Sequence, residues 1–259
     1  MPISLLWFLP TSGDSRTVVP FGPGGHLRPA TIDYLSEIAR AADRLGYEGV
    51  LTPTGTWCED AWLVTAALIR ETERLKFLVA FRPGAISPTL AAQKAATFQR
   101  LSGGRLLLNV VTGGDSSEQR RFGDWLDHDE RYDRTDEFLS VLRGALGDEP
   151  YDFAGRYYQV EGATTSKPVP ERPPLFFGGA SPAAELVAAK HVDVYLAWGE
   201  PPAMVAGCPC SACWSAWPSG SPRAPCWPSC RASSVSVRTS STVRCRSSAP
   251  FRSSPCSRS

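Results

Sequence analysis

Short apolar runs of strand length alternate with longer helical patterns through the first 198 of 259 residues, and this alternation constrains the fold more than any other feature. Residues 3–9, 49–54, 76–81, 105–111, 175–177 and 192–198 read as strands. Between them, Thr31 caps a helix on which Leu35, Ile38, Ala42 and Leu45 recur at helical spacing, with Gly46 as its stop. Residues 59–69 form a second helix. The capping hydroxyl of Ser87 precedes Pro88 in the first turn of a third, which runs to Leu101 and ends at Gly103-Gly104. After a polar insertion, Asp127 and Glu130 make a capping box, and Phe138, Leu142 and Leu146 form the buried stripe of the next helix. Residues 151–160 alternate aromatic and polar side chains, as a small hairpin does, and residues 183–190 form the last helix.

Repeated strand–helix units with short connections predict an α/β fold, a parallel sheet covered by helices. A doubly wound sheet and a (β/α)8 TIM barrel share this pattern. Polar and glycine-rich groups gather just after the strands, at 54–60, 82–84, 109–115, 178–181 and 199–200. Barrel sites are assembled from those ends, which favours the barrel. Six strand–helix units are two short of closure, so the expectation is an incomplete barrel with two open edges.

Composition divides the chain abruptly at Pro202. Residues 203–259 hold 16 Ser, 7 Pro, 7 Arg and seven of the eight Cys, and no Asp, Glu, Lys, Leu or Ile. That tail carries +7, whereas residues 1–202 carry −6. Residues 1–202 therefore read as the barrel part and 203–259 as an aberrant tail. A metal module is one reading of the tail, through Cys208, Cys210, Cys213, Cys226 and Cys230. Those spacings lack the paired knuckles and histidines of common zinc sites. A disordered Ser/Arg/Pro linker is a second reading, set against three Trp and seven Cys in a solvated segment. The third, preferred here, is a shifted reading frame in a GC-rich gene, which yields Arg, Ser, Pro, Cys and Trp and erases periodicity. Across the whole chain, 27 basic residues balance 26 acidic ones, so no net field points to nucleic acid or membrane lipid. The longest apolar runs, such as 61–69, are too short to cross a bilayer. No basic segment precedes the apolar N-terminal run as in a secretory leader, and the expected location is cytoplasmic.

Several segments, in order, resemble the alkanesulfonate monooxygenases among the bacterial-luciferase-like flavin monooxygenases. They are Trp7-Phe8-Leu9-Pro10-Thr11, Leu51-Thr52-Pro53-Thr54-Gly55, Cys58-Glu59-Asp60-Ala61-Trp62 and Arg74-Leu75-Lys76-Phe77-Leu78-Val79-Ala80. Asn109-Val110-Val111-Thr112-Gly113, Asp127-His128-Asp129-Glu130-Arg131-Tyr132, Phe177-Gly178-Gly179-Ala180-Ser181 and Tyr195-Leu196-Ala197-Trp198-Gly199-Glu200-Pro201-Pro202 complete the set. The match spans residues 3–202, and the stretches around Cys58 and Trp198 point to the sulfonate branch. The resemblance implies a two-component reaction. An NAD(P)H-dependent reductase delivers reduced FMN, and with O2 the enzyme cleaves the C–S bond of an alkanesulfonate, giving sulfite and an aldehyde. It also implies a homo-oligomer at full length. The alternatives are a dimethylsulfone-type monooxygenase or a deazaflavin-dependent oxidoreductase of the same fold, or a non-catalytic remnant.

The resemblance also assigns site residues. Asn109 faces the isoalloxazine edge, where an amide supplies both donor and acceptor; by itself it reads as a turn residue. Thr54, Thr112, Glu118, Arg131 and Tyr132 match flavin-contact positions, Arg131 toward phosphate and Tyr132 toward the ribityl chain. Outside the family, Glu118 and Arg131 read as solvated charges. Gly179, Ala180 and Ser181 open a helix whose N-terminus suits the FMN phosphate, or form a plain turn with a Ser cap. Cys58, the lone cysteine of residues 1–202, matches the sulfonate branch's active-site cysteine, where a thiol or thiolate tunes the oxygen chemistry. Alone it reads as a small buried hydrophobe. Trp7 and Trp198 wall the pocket or pack in the core. His128 sits at the capping box, and His26 and His191 have no ligand partners in spacing, so no metal site is expected. The family's arginine and histidine on a seventh strand have no counterpart, and this chain is expected to be inactive or unstable.

Overall fold

The computed structural model describes residues 4–13, 28–169, 171–179, 181–198, 234–236 and 242–245. Ile3, His26, Ala180, Gly199, Glu200 and the five cysteines from Cys208 to Cys230 lie outside them, as does the Trp198 side chain. Six strands run parallel, side by side: β1 (Leu6–Phe8), β2 (Gly49–Thr52), β3 (Lys76–Phe81), β4 (Leu106–Val110), β7 (Leu175–Gly178) and β8 (Val194–Trp198). The helices α1 (Ile32–Arg44), α2 (Ala61–Leu68), α3 (Pro88–Ser102), α5 (His128–Ala145) and α6 (Pro182–His191) connect them. This is the half-barrel that six strand–helix units predict. The hairpin β5 (Tyr151–Ala154) and β6 (Gln159–Ala163) stands outside the sheet as its own two-stranded unit.

Local chemistry starts and stops the helices where the sequence says. Thr31, Asp60 and Ser87 each accept an N–H from the third residue on, from Tyr34, Leu63 and Leu90. Asp127 accepts the Glu130 N–H at 2.8 Å while Glu130 accepts the Asp127 N–H at 3.2 Å, closing the capping box. Gly103 ends α3 in the left-handed region, at φ 67°.

Alternation along the strands sorts side chains onto two faces. Val50, Phe77, Val79, Phe81, Leu106, Leu108 and Val110 point to the helices and join Trp62, Phe98, Phe138 and Leu142 in the main core. The other face is concave, and among the described residues its buried cluster is Leu78, Leu107, Phe176, Val194 and Leu196.

Three features differ from expectation. A short helix, α4 (Ser116–Arg121), occupies the polar insertion. Leu45 is not on a buried stripe but is the C-cap of α1, 72% exposed, because the chain turns at Gly46. The tail contributes two short strands, β9 (Ser234–Ser236) and β10 (Thr242–Cys245), where no periodicity was legible. β10 pairs antiparallel with β8 and with β9, so among the described residues the sheet runs from an edge at β1 to an edge at β9. Val235 and Val243 suit strands, and an unpaired edge of backbone N–H and C=O groups is a template for any such segment.

Candidate functional site at the carboxyl ends of the strands

The chain leaves each central strand through polar residues, and these meet on one side of the sheet. Arg82 follows β3 directly and is buried, at 6% exposure. Its Nη2 donates to Glu118 Oε2 of α4 at 2.6 Å and to the Thr54 carbonyl, after β2, at 3.3 Å. Glu118 Oε1 in turn accepts the Thr56 N–H at 3.0 Å. Phe122 lies against the guanidinium, 5.2 Å from ring centre to Cζ. Beside Glu118, the buried Gln119 donates to the Thr112 carbonyl at 3.2 Å. Arg82 thus joins Thr54 to Glu118, and Gln119, next to Glu118 on α4, reaches Thr112. Sequence reading placed Arg82 at the strand end without a role. Its one signal was a charged residue directly after the apolar run of β3.

Cys58 sits on the same loop, half-buried, its Sγ 3.7 Å from the Gly55 carbonyl and 3.8 Å from that of Pro53. Burial is the main cause that pushes the thiol up to about 11. Glu118 and Glu59 act in the same direction, while Thr11 and Arg82 oppose it. Of the two forms expected, the structure therefore holds the thiol and not the thiolate at neutral pH.

Asn109 lies on the concave face of β4, two residues beyond Leu107, in register with Ala80 of β3 and Phe176 of β7. It is 8% exposed, and its amide makes no hydrogen bond among the described residues. By strand order it separates the Arg82 cluster from a second group at β7. There the Tyr132 ring packs edge-on to Phe177, with centroids 6.2 Å apart, and burial raises its hydroxyl, which meets the Ser181 side chain. Ser181 caps α6, accepting the Ala184 N–H at 3.2 Å. A Cβ on Gly179 would stand 2.7 Å from Ala184 Cβ and 3.2 Å from the Tyr132 hydroxyl. Arg131 precedes Tyr132, and its charge opposes the rise of that hydroxyl. It is 3% exposed and donates to the Leu126 carbonyl at 2.7 Å, so it is no solvated charge.

Trp7, 40% exposed, packs edge-on to Tyr47 on the open β1 strand. His128 is half-exposed beside Asp129, as a helix-start residue should be. His191 is buried, its Nε2 2.7 Å from Asp136 Oδ1, and burial lowers its pKa. No group of three His, Cys, Asp or Glu among the described residues is placed to hold a metal ion. No helix among them is long and apolar enough to cross a membrane. Two clefts lie away from the predicted site residues. One, of about 430 Å³, is lined by Gly84, Trp125, Arg134 and Tyr157, and the other, of about 370 Å³, by Arg143, Arg172 and Asp193.

A half-barrel with polar groups at the carboxyl ends of its strands is an enzyme architecture. The family model described as luciferase-like monooxygenase matches residues 6–207, and the chain belongs to that family. The match runs five residues past the compositional break at Pro202. Among solved structures, an EDTA monooxygenase from Chelativorans sp. BNC1 is similar at TM-score 0.70 and 21% identity, over 80% of this chain and 56% of that one. A riboflavin lyase, solved with modified FMN and riboflavin, gives 0.69 and 22%, over 80% and 57%. A long-chain alkane monooxygenase gives 0.66 and 22%, over 74% and 55%. The chain spans little more than half the length of each.

Proposed function

We propose that this chain belongs to the oxygenase component of a two-component system that takes reduced FMN from an NAD(P)H-dependent reductase and desulfonates alkanesulfonates with O2. Family membership supports a flavin-dependent monooxygenase. The sulfonate branch rests on the residues around Cys58 and Trp198. One observation carries the cofactor assignment: the buried Asn109 amide on the concave face, which makes no hydrogen bond among the described residues. An amide there offers a donor and an acceptor to the alternating N–H and carbonyl edge of an isoalloxazine. Ala80, in register beside it, leaves room for a flat ring.

Reduced flavin supplies the oxygen chemistry; the protein supplies position and a dry surface. In this reading Asn109 orients the ring edge, with Thr54 and Thr112 on its β2 and β4 sides. The N-terminus of α6, with Gly179, Ala180 and Ser181, takes the phosphate. Tyr132 donates its hydroxyl toward the ribityl chain, and the buried Arg131 contributes positive charge behind it. The neutral Cys58 thiol holds its proton at the mouth, as a donor rather than a nucleophile. In this reading residues 1–202 carry the catalytic unit.

The test is sulfite release from short alkanesulfonates by the chain, supplied with FMN, NADH, a flavin reductase and air. Sulfite in step with aldehyde is the product this reading requires, and it would overturn the expectation that a chain without the family's seventh-strand arginine and histidine is inactive. Turnover of dimethylsulfone alone, or hydride transfer from a reduced deazaflavin, would replace this reading. Tight binding of reduced FMN with no product would leave a flavin-binding remnant in its place.

A further inference from the structure

Glu118 holds two other parts of the chain at once. One carboxylate oxygen takes Arg82 Nη2 at 2.6 Å, and the other takes the Thr56 N–H at 3.0 Å. Arg82 reaches the same loop independently, at the Thr54 carbonyl, 3.3 Å away. Two backbone groups of the segment leading to Cys58 are therefore gripped by a single ion pair. The pair is no surface ornament, for its side chains are only 7% and 14% exposed. Exposed pairs contribute little, whereas removing one member of a buried pair strands the other charge. Between the two gripped groups lies Gly55, so close that a Cβ would stand 2.8 Å from Glu118 Oε1. The loop is seated on the carboxylate with no space for a side chain.

We propose that Arg82 and Glu118 are positioning residues, an ion-pair clamp that seats residues 54–58 and holds the Cys58 thiol at the mouth of the concave face. Glu118 then serves the flavin site through the loop, because both its oxygens already accept from fixed donors. The catalytic consequence rests on the proposed function, in which Cys58 faces the flavin; the clamp itself does not. The groups that face the thiol are Thr11 after β1, Glu59 on its own loop, Arg82 after β3 and Glu118 on α4. Burial outweighs all of them, so release of the loop exposes the thiol and makes it more acidic.

The experiment is iodoacetamide alkylation of the full chain against pH, with Cys58 resolved from the tail cysteines by peptide mass spectrometry. In Glu118→Ala the Cys58 midpoint is expected to fall from about 11 toward its ordinary 9.0. The thiolate fraction near neutral pH then rises about a hundredfold. The weaker nucleophilicity of a more acidic thiol trims the gain in rate to about tenfold. Glu118→Gln keeps an acceptor for the Thr56 N–H and is expected to shift the midpoint less. An unchanged profile in folded Glu118→Ala overturns the clamp. Should that variant fail to fold, amide exchange in the unaltered chain decides. The Thr56 N–H, on an exposed residue, is expected to exchange at least about tenfold slower than a free loop amide, and exchange at the free rate overturns the proposal. Absence of sulfite release with these readouts intact would remove the proposed function and leave the clamp standing.

Discussion

The two faces of one sheet are built on different terms. On the helix side, alternate residues of β2, β3, β4 and β7 meet α2, α3 and α5 in a continuous apolar layer. Aromatic rings run through that layer: Phe77 touches Phe98, Phe98 touches Trp62, and Phe138 lies between Phe81 and Tyr158, at centroid separations of 5.8–6.4 Å. On the concave side the apolar cluster has five buried members among the described residues, and toward the carboxyl ends it gives way to Asn109, Arg82 and Glu118. Stability is concentrated on the first face. Unsatisfied or charge-paired polar groups, which close packing would exclude, are retained on the second. The contrast separates substitutions that unfold the chain from those that silence it.

The largest expected effect is on the helix side. Phe138→Ala removes a fully buried ring at the centre of the layer and should cost about 3–5 kcal/mol, measured by urea unfolding. Adjacent leucines then compare the faces directly. Leu108→Ala, in the main core, should cost about 4 kcal/mol, and Leu107→Ala, in the smaller cluster, nearer about 2 kcal/mol. Equal losses would break the comparison.

A fourth substitution tests a buried polar group. Glu185 of α6 is 8% exposed, its Oε1 has no partner among the described residues, and burial pushes its carboxyl up to about 7 from 4.5. A carboxyl raised in the folded state adds stability that is full below about 4.5 and lost as pH climbs through about 7. Glu185→Gln should therefore raise stability at pH 8 by about 1–2 kcal/mol and change it little at pH 4. Thermal melts at the two pH values check the sign.

The smallest effect on stability is expected at Asn109. Among the described residues its amide has no partner to lose, so Asn109→Ala should shift unfolding by less than about 1 kcal/mol. Binding of reduced FMN, followed by anaerobic fluorescence titration, should nevertheless weaken about tenfold. A large loss of stability with unchanged affinity would place Asn109 in the packing rather than in the site.

Local physics made much of the fold legible. The apolar run of β3 reads as residues 76–81 in the sequence and in the sheet alike. Thr31, Ser87, Gly103 and the Asp127–Glu130 box mark helix ends because a cap needs only a side chain and the backbone three residues away. The six-residue α4 escaped because SSEQRR has no apolar period to detect. The pairing of β10 with β8 escaped because one exposed edge accepts many partners. Within the site, residues on strand ends could be picked out, whereas their relations could not. Arg82 and Glu118 stand 36 positions apart, and Glu118 and Thr56 stand 62 apart.

By itself, then, the sequence determined the alternation of elements, their caps, the parallel half-barrel and the end of it at which polar groups collect. These follow from period, capping chemistry and glycine conformation, all local. Only the tertiary structure decided which charge neutralises which, that Cys58 is a protonated thiol, and that Arg82 joins three loops. Burial and long-range ion pairing set those outcomes, and both depend on groups that chain order keeps far apart.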